Sequence, residues 1–428
     1  MKRLSYIILL TLLIALLGAC EADEAAEVDV DDVDVVDEDV EVEEGEELVC
    51  EDEIDCVVVE PGEPIRIASA LVITGPDAQL GLDSQYGVEI AIMQHGEIAG
   101  HEVVLVAEDD QCSAEGGQAV AQKIAADPEI VGVIGTSCSS AGVPAAQILG
   151  EAGYVMISPS NTAPVLTAPE TRAPGYFRTA HNDTIQGRAI ATYAIDELGV
   201  GTAAAIHDGT PYTEGLSSVF RDVFQELGGE IVAFEAEAPD ATELTPVLTS
   251  IAAAGPPEFL YYPVFVVLGS NITNQARQIS ELEGTILAGA DGILSEQFLD
   301  AAGEDALGMY LSGPDLGFEN EIYDDFLAIY ESEFGTEPTA AFHAHAYDAT
   351  MILLNAIEEV AIVGDDGTML IPRGELREAI AATSGFEGIT GTLTCDEFGD
   401  CADPQIAVNE VQEVDGEPTF VPIWTYEP

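Results

Sequence analysis

The sequence predicts an α/β fold made of two lobes, each a parallel sheet covered by helices on both faces. Three observations carry the prediction. From Ile65 onward, short runs of Val, Ile and Ala alternate with helical patterns, the β-α-β rhythm of a parallel sheet. These runs are nearly continuous in apolar residues, as strands buried on both faces require. The rhythm then restarts, and about 365 residues lie beyond an acidic N-terminal stretch, more than a single growing core holds.

Taken in order, residues 65–74 read as a strand and 81–94 as a helix. Residues 103–108 give a second strand, 115–126 a helix, 130–134 a third strand, 141–151 a helix and 154–157 a fourth strand. The second block opens with a helix over 184–198. Strands at 202–207 and 230–234 then bracket a helix at 213–227. A helix near 245–253, a strand at 259–262 and further units to Leu311 complete it.

Ahead of these blocks, Lys2 and Arg3 precede an apolar run over 4–17, followed by Gly18, Ala19 and Cys20. A basic start, a short apolar run and small residues before a cleavage point describe a secretory signal. The run is shorter than the roughly 20 residues a membrane-spanning helix needs. Leu17-Gly18-Ala19-Cys20 resembles a bacterial lipobox, so residues 1–19 are expected to be removed and Cys20 to carry lipid. An ordinary cleaved signal with an incidental cysteine is the alternative. Residues 21–60 hold 21 Asp and Glu and no Lys or Arg. Such dense like charge repels itself in a sheet, so residues 20–62 are read as a disordered tether. The Asp run lacks the ligand spacing of an EF-hand loop. An extracytoplasmic domain anchored by an N-terminal lipid is the expected result, in a periplasm or on the outer face of the cytoplasmic membrane.

Across the chain, 80 acidic side chains face 11 basic ones, a net charge of −69. No basic surface is available for nucleic acid, so nucleic-acid partners are excluded. Dense carboxylates also suit a salty medium, where screening relieves their repulsion. Six cysteines remain once Cys20 is set aside. They allow 15 connectivities, of which three local pairs are proposed: Cys50 with Cys56, Cys112 with Cys138, and Cys395 with Cys401. No C-x-x-C pair occurs, which argues against zinc, and neither a metal nor any cofactor is expected.

In open parallel sheets, ligands bind beyond the carboxyl ends of strands, often at helix N-termini. Gly135-Thr136-Ser137-Cys138-Ser139-Ser140 follows the third strand, and Ser158-Pro159-Ser160-Asn161-Thr162 follows the fourth. Their hydroxyls and amides suit a carboxylate, although Ser and Thr there also serve as plain helix caps.

These segments, together with Glu108-Asp109-Asp110-Gln111-Cys112, Tyr176-Phe177-Arg178-Thr179, Tyr212-Thr213-Glu214-Gly215, Gly289-Ala290-Asp291-Gly292, Tyr347-Asp348-Ala349 and Gly388-Ile389-Thr390-Gly391, resemble the leucine/isoleucine/valine-binding proteins of bacterial ABC importers. The resemblance covers about 65–410. It implies a type I periplasmic-binding-protein fold, two Rossmann-like lobes with parallel sheets joined by three hinge crossings, near Thr179, Ser312 and Thr390. Lobe one would then be 63–180 plus 313–389, and lobe two 181–312 plus 390–428. The Cys112–Cys138 pair falls where the family has a disulfide.

The resemblance further implies capture of an amino acid, branched-chain or related, and delivery to an ABC permease in the membrane. Ser139, Thr162 and the backbone around Ser160 would hold the ligand carboxylate, with Tyr212 and Asp291 on the opposite lobe. Asp291 stands where the family has an acidic partner for the ligand ammonium; the plainer reading is a turn residue in Asp291-Gly292. Two positions depart from the family. Phe265 replaces a tyrosine that can bind the amine. Asp77 stands where an aromatic or small residue is common, and either faces a polar or cationic ligand or caps the next helix. Phe342 packs on the ligand or in the core. Amides, urea and aromatic acids are alternative ligands.

An enzyme is the rival from another class. No H-E-x-x-H, G-x-S-x-G or P-loop motif occurs, and His343 and His345 are two apart, facing different sides of any helix. No catalytic residue is therefore expected. A sensor ectodomain would carry a membrane helix and a cytoplasmic module after the fold, which the sequence to Pro428 lacks; presentation of ligand to a separate receptor stays open.

Overall fold

A computed structural model describes residues 48–426. The signal at 1–19, Cys20 and the tether up to residue 47 lie outside the described residues. The described chain is built on two sheets, one of five strands and one of seven. The first block runs β1 (Cys56–Val59), β2 (Ile65–Leu71), α1 (Ala78–His95), β3 (Val103–Asp109), α2 (Ala114–Ala125), β4 (Ile130–Gly135), α3 (Ser139–Glu151), β5 (Val155–Ser158) and β6 (Tyr176–Arg178). Strands β2 to β6 pair in parallel in the order β3-β2-β4-β5-β6. Every residue of β4 and β5 is buried, which explains their uninterrupted apolar sequence.

The second block holds α4 (Asp183–Thr192), β7 (Thr202–His207), α5 (Pro211–Glu226), β8 (Glu230–Ala236), α6 (Thr245–Ala254), β9 (Phe259–Tyr261), α7 (Val266–Ala276), β10 (Ile286–Gly289), α8 (Glu296–Ala302) and β11 (Tyr310–Pro314). The chain then returns to pack on the first sheet through α9 (Glu321–Phe334), α10 (His343–Val360), β12 (Ile362–Val363), β13 (Met369–Pro372), α11 (Arg373–Ala381), β14 (Phe386–Gly388) and β15 (Gly391–Leu393). It ends with β16 (Ile406–Val414) and β17 (Glu417–Tyr426), which join β11 antiparallel and complete the sheet β17-β16-β11-β10-β9-β7-β8.

Polar capping sets several boundaries. Ser113 accepts from the Gly116 amide at the start of α2, Asn182 from Thr184 at α4, and Asn320 from Tyr323 at α9, each supplying an acceptor to a helix-end donor that has none. The expected helix over 184–198 is shorter, because α4 passes into a π turn at Tyr193–Glu197. Gly81 allows α1 to lie on the loop after β2: a Cβ there would sit 2.0 Å from the Val72 carbonyl oxygen.

Two expectations are corrected. Residues 48–59 belong to the fold rather than to a tether. Val57 and Val59 are buried, β1 pairs antiparallel with β13, and Cys50 is bonded to Cys56. The acidic composition hid a strand whose alternate residues enter the core. The third crossing also lies later than Thr390. After β15 the chain stays on the first sheet, where Leu393 and Cys401 are in its core and the Cys401 amide donates to the Arg178 carbonyl. It leaves only over 402–405, before β16. Cys395 is bonded to Cys401, and Cys112 to Cys138. No described helix is long and apolar enough to cross a membrane.

Candidate functional site

Two loops at the carboxyl ends of β4 and β5 form the first wall of a cleft between the sheets. The Asp110 carboxylate organises the upper loop, accepting from the Ser137 amide at 2.6 Å and the Cys112 amide at 2.7 Å. Burial pushes this carboxyl up to about 7, against the pull of those amides. The acidic pair Asp109-Asp110 is thus a loop organiser. Ser139, the first residue of α3, accepts from the Ala163 amide at 3.2 Å, which ties the two loops together. Ser160 donates to the Ser137 carbonyl at 3.0 Å, and Thr162 is buried beside them. The first amides of α3 have no acceptor within the helix, so an anion fits there.

Arg178 holds the lower loop from behind. Fully buried, it pairs with Asp400 and donates to the carbonyls of Asn161 and Ala163, both at 3.0 Å, and to Thr167 Oγ1 at 2.7 Å. Its charge is spent on these partners, and it holds the Asp400 carboxyl below its usual range against the effect of burial.

The second sheet supplies a different wall. Asp291, just after β10, is 5% exposed and accepts from Gln186 Nε2 at 2.6 Å and the Tyr212 hydroxyl at 3.2 Å. Tyr212 in turn accepts from the Gly292 amide at 3.1 Å. Burial raises the Asp291 carboxyl, opposed by His181, Gln186 and Tyr212. Beside it, Asp183 at the start of α4 is 0% exposed, and neither of its oxygens has a hydrogen-bond partner. Burial and then the Asp291 charge push it well above the ordinary carboxylate range, while the Thr162 hydroxyl pulls it down. Thr162 of the first wall is therefore next to Asp183 of the second, its carbonyl also accepting from the Asp183 amide at 3.0 Å.

The remaining two candidates join this cluster. Phe265 sits at the N-terminal end of α7 with its ring 5.3 Å from that of Tyr212. Asp77 does not cap α1; its carboxylate reaches across to accept from the Val266 amide of α7 at 3.4 Å. Asp77 and Asp291 line one cavity of about 10 Å³, room for a single water. Two further contacts close the cleft, Gln297 N to Gln79 Oε1 at 2.9 Å and Glu296 N to the Thr339 carbonyl at 3.4 Å. A larger cavity of about 190 Å³ lies at the crossings, against Thr179, Pro314, Thr390 and Gln405. It is also lined by His181, the imidazole beside Asp291, but shares no lining residue with the smaller cavity.

Of the seven candidate binding residues, Asp77 and Asp291 line one cavity, Tyr212 bonds Asp291 and packs on Phe265, and Ser139, Ser160 and Thr162 lie on the loops after β4 and β5. Phe342 is buried in the cluster where the two lobes meet. Sequence reasoning missed Asp183, His181 and Gln186. One signal could have found them: they directly follow the first crossing at Thr179, and polar residues that close on a crossing line the cleft it spans.

Two lobes on parallel sheets, joined by three crossings and closed over a polar cleft, define a bilobal binding protein. The periplasmic binding protein family model matches residues 64–404, and the chain belongs to that family. The leucine-, isoleucine-, valine-, threonine- and alanine-binding protein of Pseudomonas aeruginosa is 28% identical over 352 residues, 81% of this chain and 89% of that protein. A leucine-binding protein from Thermotoga maritima superposes with a TM-score of 0.75 at 26% identity, covering 85% of this chain and 99% of that one. A solute-binding protein of Rhodopseudomonas palustris in complex with 4-hydroxybenzoate shares the fold, with a TM-score of 0.74 at 17% identity over 85% of this chain and 97% of its own.

Proposed function

We propose that this chain is the extracytoplasmic substrate-binding component of an ABC importer and captures an α-amino acid in the cleft. The observation that carries the reading is the opposition of the two walls. Ser139, Thr162 and the free amides of α3 offer neutral donors to a carboxylate, while the buried carboxyls of Asp291 and Asp183 offer acceptors whose ionised form an ammonium would favour. A zwitterion pairs with both walls at once and gives the Asp183 carboxyl, which is buried without a partner, a counter-charge nearby. The relatives named for leucine, isoleucine and valine support this choice.

Closure follows from differential affinity: the ligand meets the first wall in the open state and gains the second only when the lobes close. The closed form then docks on a membrane permease. The lobes divide best at 179–182, 315–320 and 402–405, and lipid on Cys20 keeps the carrier at the membrane. Thermal unfolding of the full chain against amino acids, amides, urea and aromatic acids tests the reading. A binder at 100 times its Kd adds about 2.7 kcal/mol of stability. A shift with amides or aromatic acids and none with any α-amino acid would overturn it.

A further inference from the structure

The cavity of about 10 Å³ that Asp291 lines is also lined by Asp77, so two carboxylates border one small space between the lobes. Leu80, Val266, Leu294 and Ala340 supply its apolar lining, beside the polar Ser295 and Gln297. No Arg or Lys lines this cavity; the arginine nearest the carboxylate cluster, Arg178, is engaged by Asp400. The charge near Asp77 is negative, since Asp208 lies close enough to raise its carboxyl further. Its one hydrogen bond among the described residues is the long contact from the Val266 amide.

We propose that Asp77 makes the far end of the cavity a cation subsite, so that the preferred ligand is an amino acid whose side chain is an aliphatic stem ending in a protonated amine or similar cationic nitrogen. This rests on the amino-acid reading above and sharpens it. A leucine-like side chain would meet the apolar lining but leave the half-buried Asp77 against methyl groups with a single weak donor, which is unfavourable for a carboxylate. Once the lobes part to admit it, a diamino acid places its methylenes against these apolar residues, its α-ammonium at Asp291 and its second ammonium at Asp77, so the buried Asp291 and the half-buried Asp77 both gain a counter-charge. Burial pushes the Asp77 carboxyl up to about 6, so the subsite is charged at pH 8 and largely neutral at pH 5.

The test is calorimetric titration of the full chain with L-ornithine, L-lysine, L-leucine and L-isoleucine at pH 8 and pH 5. At pH 8 the diamino acids are expected to bind at least roughly tenfold tighter than the aliphatic ones, with the preference shrinking at pH 5. Asp77→Leu should reverse the preference towards leucine, and the near-isosteric Asp77→Asn should abolish it without disturbing the fold. Tight leucine binding that is lost in Asp291→Ala but indifferent to both Asp77 variants overturns the subsite while leaving the amino-acid reading intact. Binding of none of the four ligands overturns both.

Discussion

On the wall built from the five-stranded sheet, Ser139 and Ser160 already hydrogen-bond the protein, and Asp110, Asp400 and Arg178 are satisfied from behind. On the wall built from the seven-stranded sheet, Asp183 has no partner for either oxygen, and Asp291 shares one oxygen between two neutral donors. The side chains of the first wall are partnered before a ligand arrives, whereas the second holds a buried carboxyl, Asp183, with no hydrogen-bond partner. A buried carboxylate without a counter-ion lowers stability, so its presence at a cleft marks a site shaped for binding rather than for folding. The difference also assigns an order: the preformed wall receives the ligand, and the anionic wall supplies the differential affinity that favours closure.

The strongest way to break this comparison is to remove the anionic wall. Asp291→Ala is expected to weaken amino-acid binding by roughly 2–5 kcal/mol, read by calorimetry; an unchanged affinity would take Asp291 out of the site. Asp183→Asn carries a more diagnostic signature. Without a carboxyl to bury unpaired, the ligand-free protein should melt higher at pH 8, while affinity for the amino acid falls. A variant that melts lower and binds normally would make Asp183 a structural residue.

A buried imidazole on the first lobe provides a smaller effect with a defined pH sign. Burial holds His345 down to about 3, with His181 and His343 adding to the shift, and its Nδ1 has no partner. The unfolded chain protonates this residue near pH 6.5, so the neutral folded form is fully favoured above that pH and loses stability as pH falls towards 3. Comparing wild type with His345→Gln by urea denaturation, the wild type should lose about 2 kcal/mol more between pH 7.5 and pH 5. Buried carboxylates such as Asp348, raised by burial to about 6, change stability in the opposite direction. They do so in both proteins, so the difference isolates the imidazole.

Much of this arrangement is legible in the sequence because the signals are local. The continuous apolar strands at 130–135 and 155–158 announce a parallel sheet, and the hydroxyl-rich loops follow directly from them. The ordered spacing of short motifs, each weak alone, carries the family. What stays hidden depends on packing across long separations. No local pattern shows that Cys56–Val59 pairs with Met369–Pro372, because the strand lies inside an acidic stretch whose charge reads as solvated chain. Nor does any pattern show that residues 391–401 remain on the first sheet, since that follows from the bridge between Arg178 and Asp400. Asp77 is the plainest case: its position at the start of α1 suggests a cap, yet its partner lies 189 residues away on the other lobe.

The smallest effect tests the neutral wall. If Ser139 contributes a hydroxyl to the ligand carboxylate, Ser139→Ala should cost about 1 kcal/mol of affinity, the usual net value of one hydrogen bond. The ligand-free protein should lose stability as well, because the buried Ala163 amide loses the Ser139 hydroxyl as its acceptor. The ratio matters more than the value. A preformed wall of several neutral donors loses one member with little consequence, while the anionic wall depends on Asp291 alone for its hydrogen-bonded charge. A loss at Ser139 as large as that at Asp291 would mean that the carboxylate, and not the ammonium, dominates recognition, and the order of capture and closure would have to be reversed.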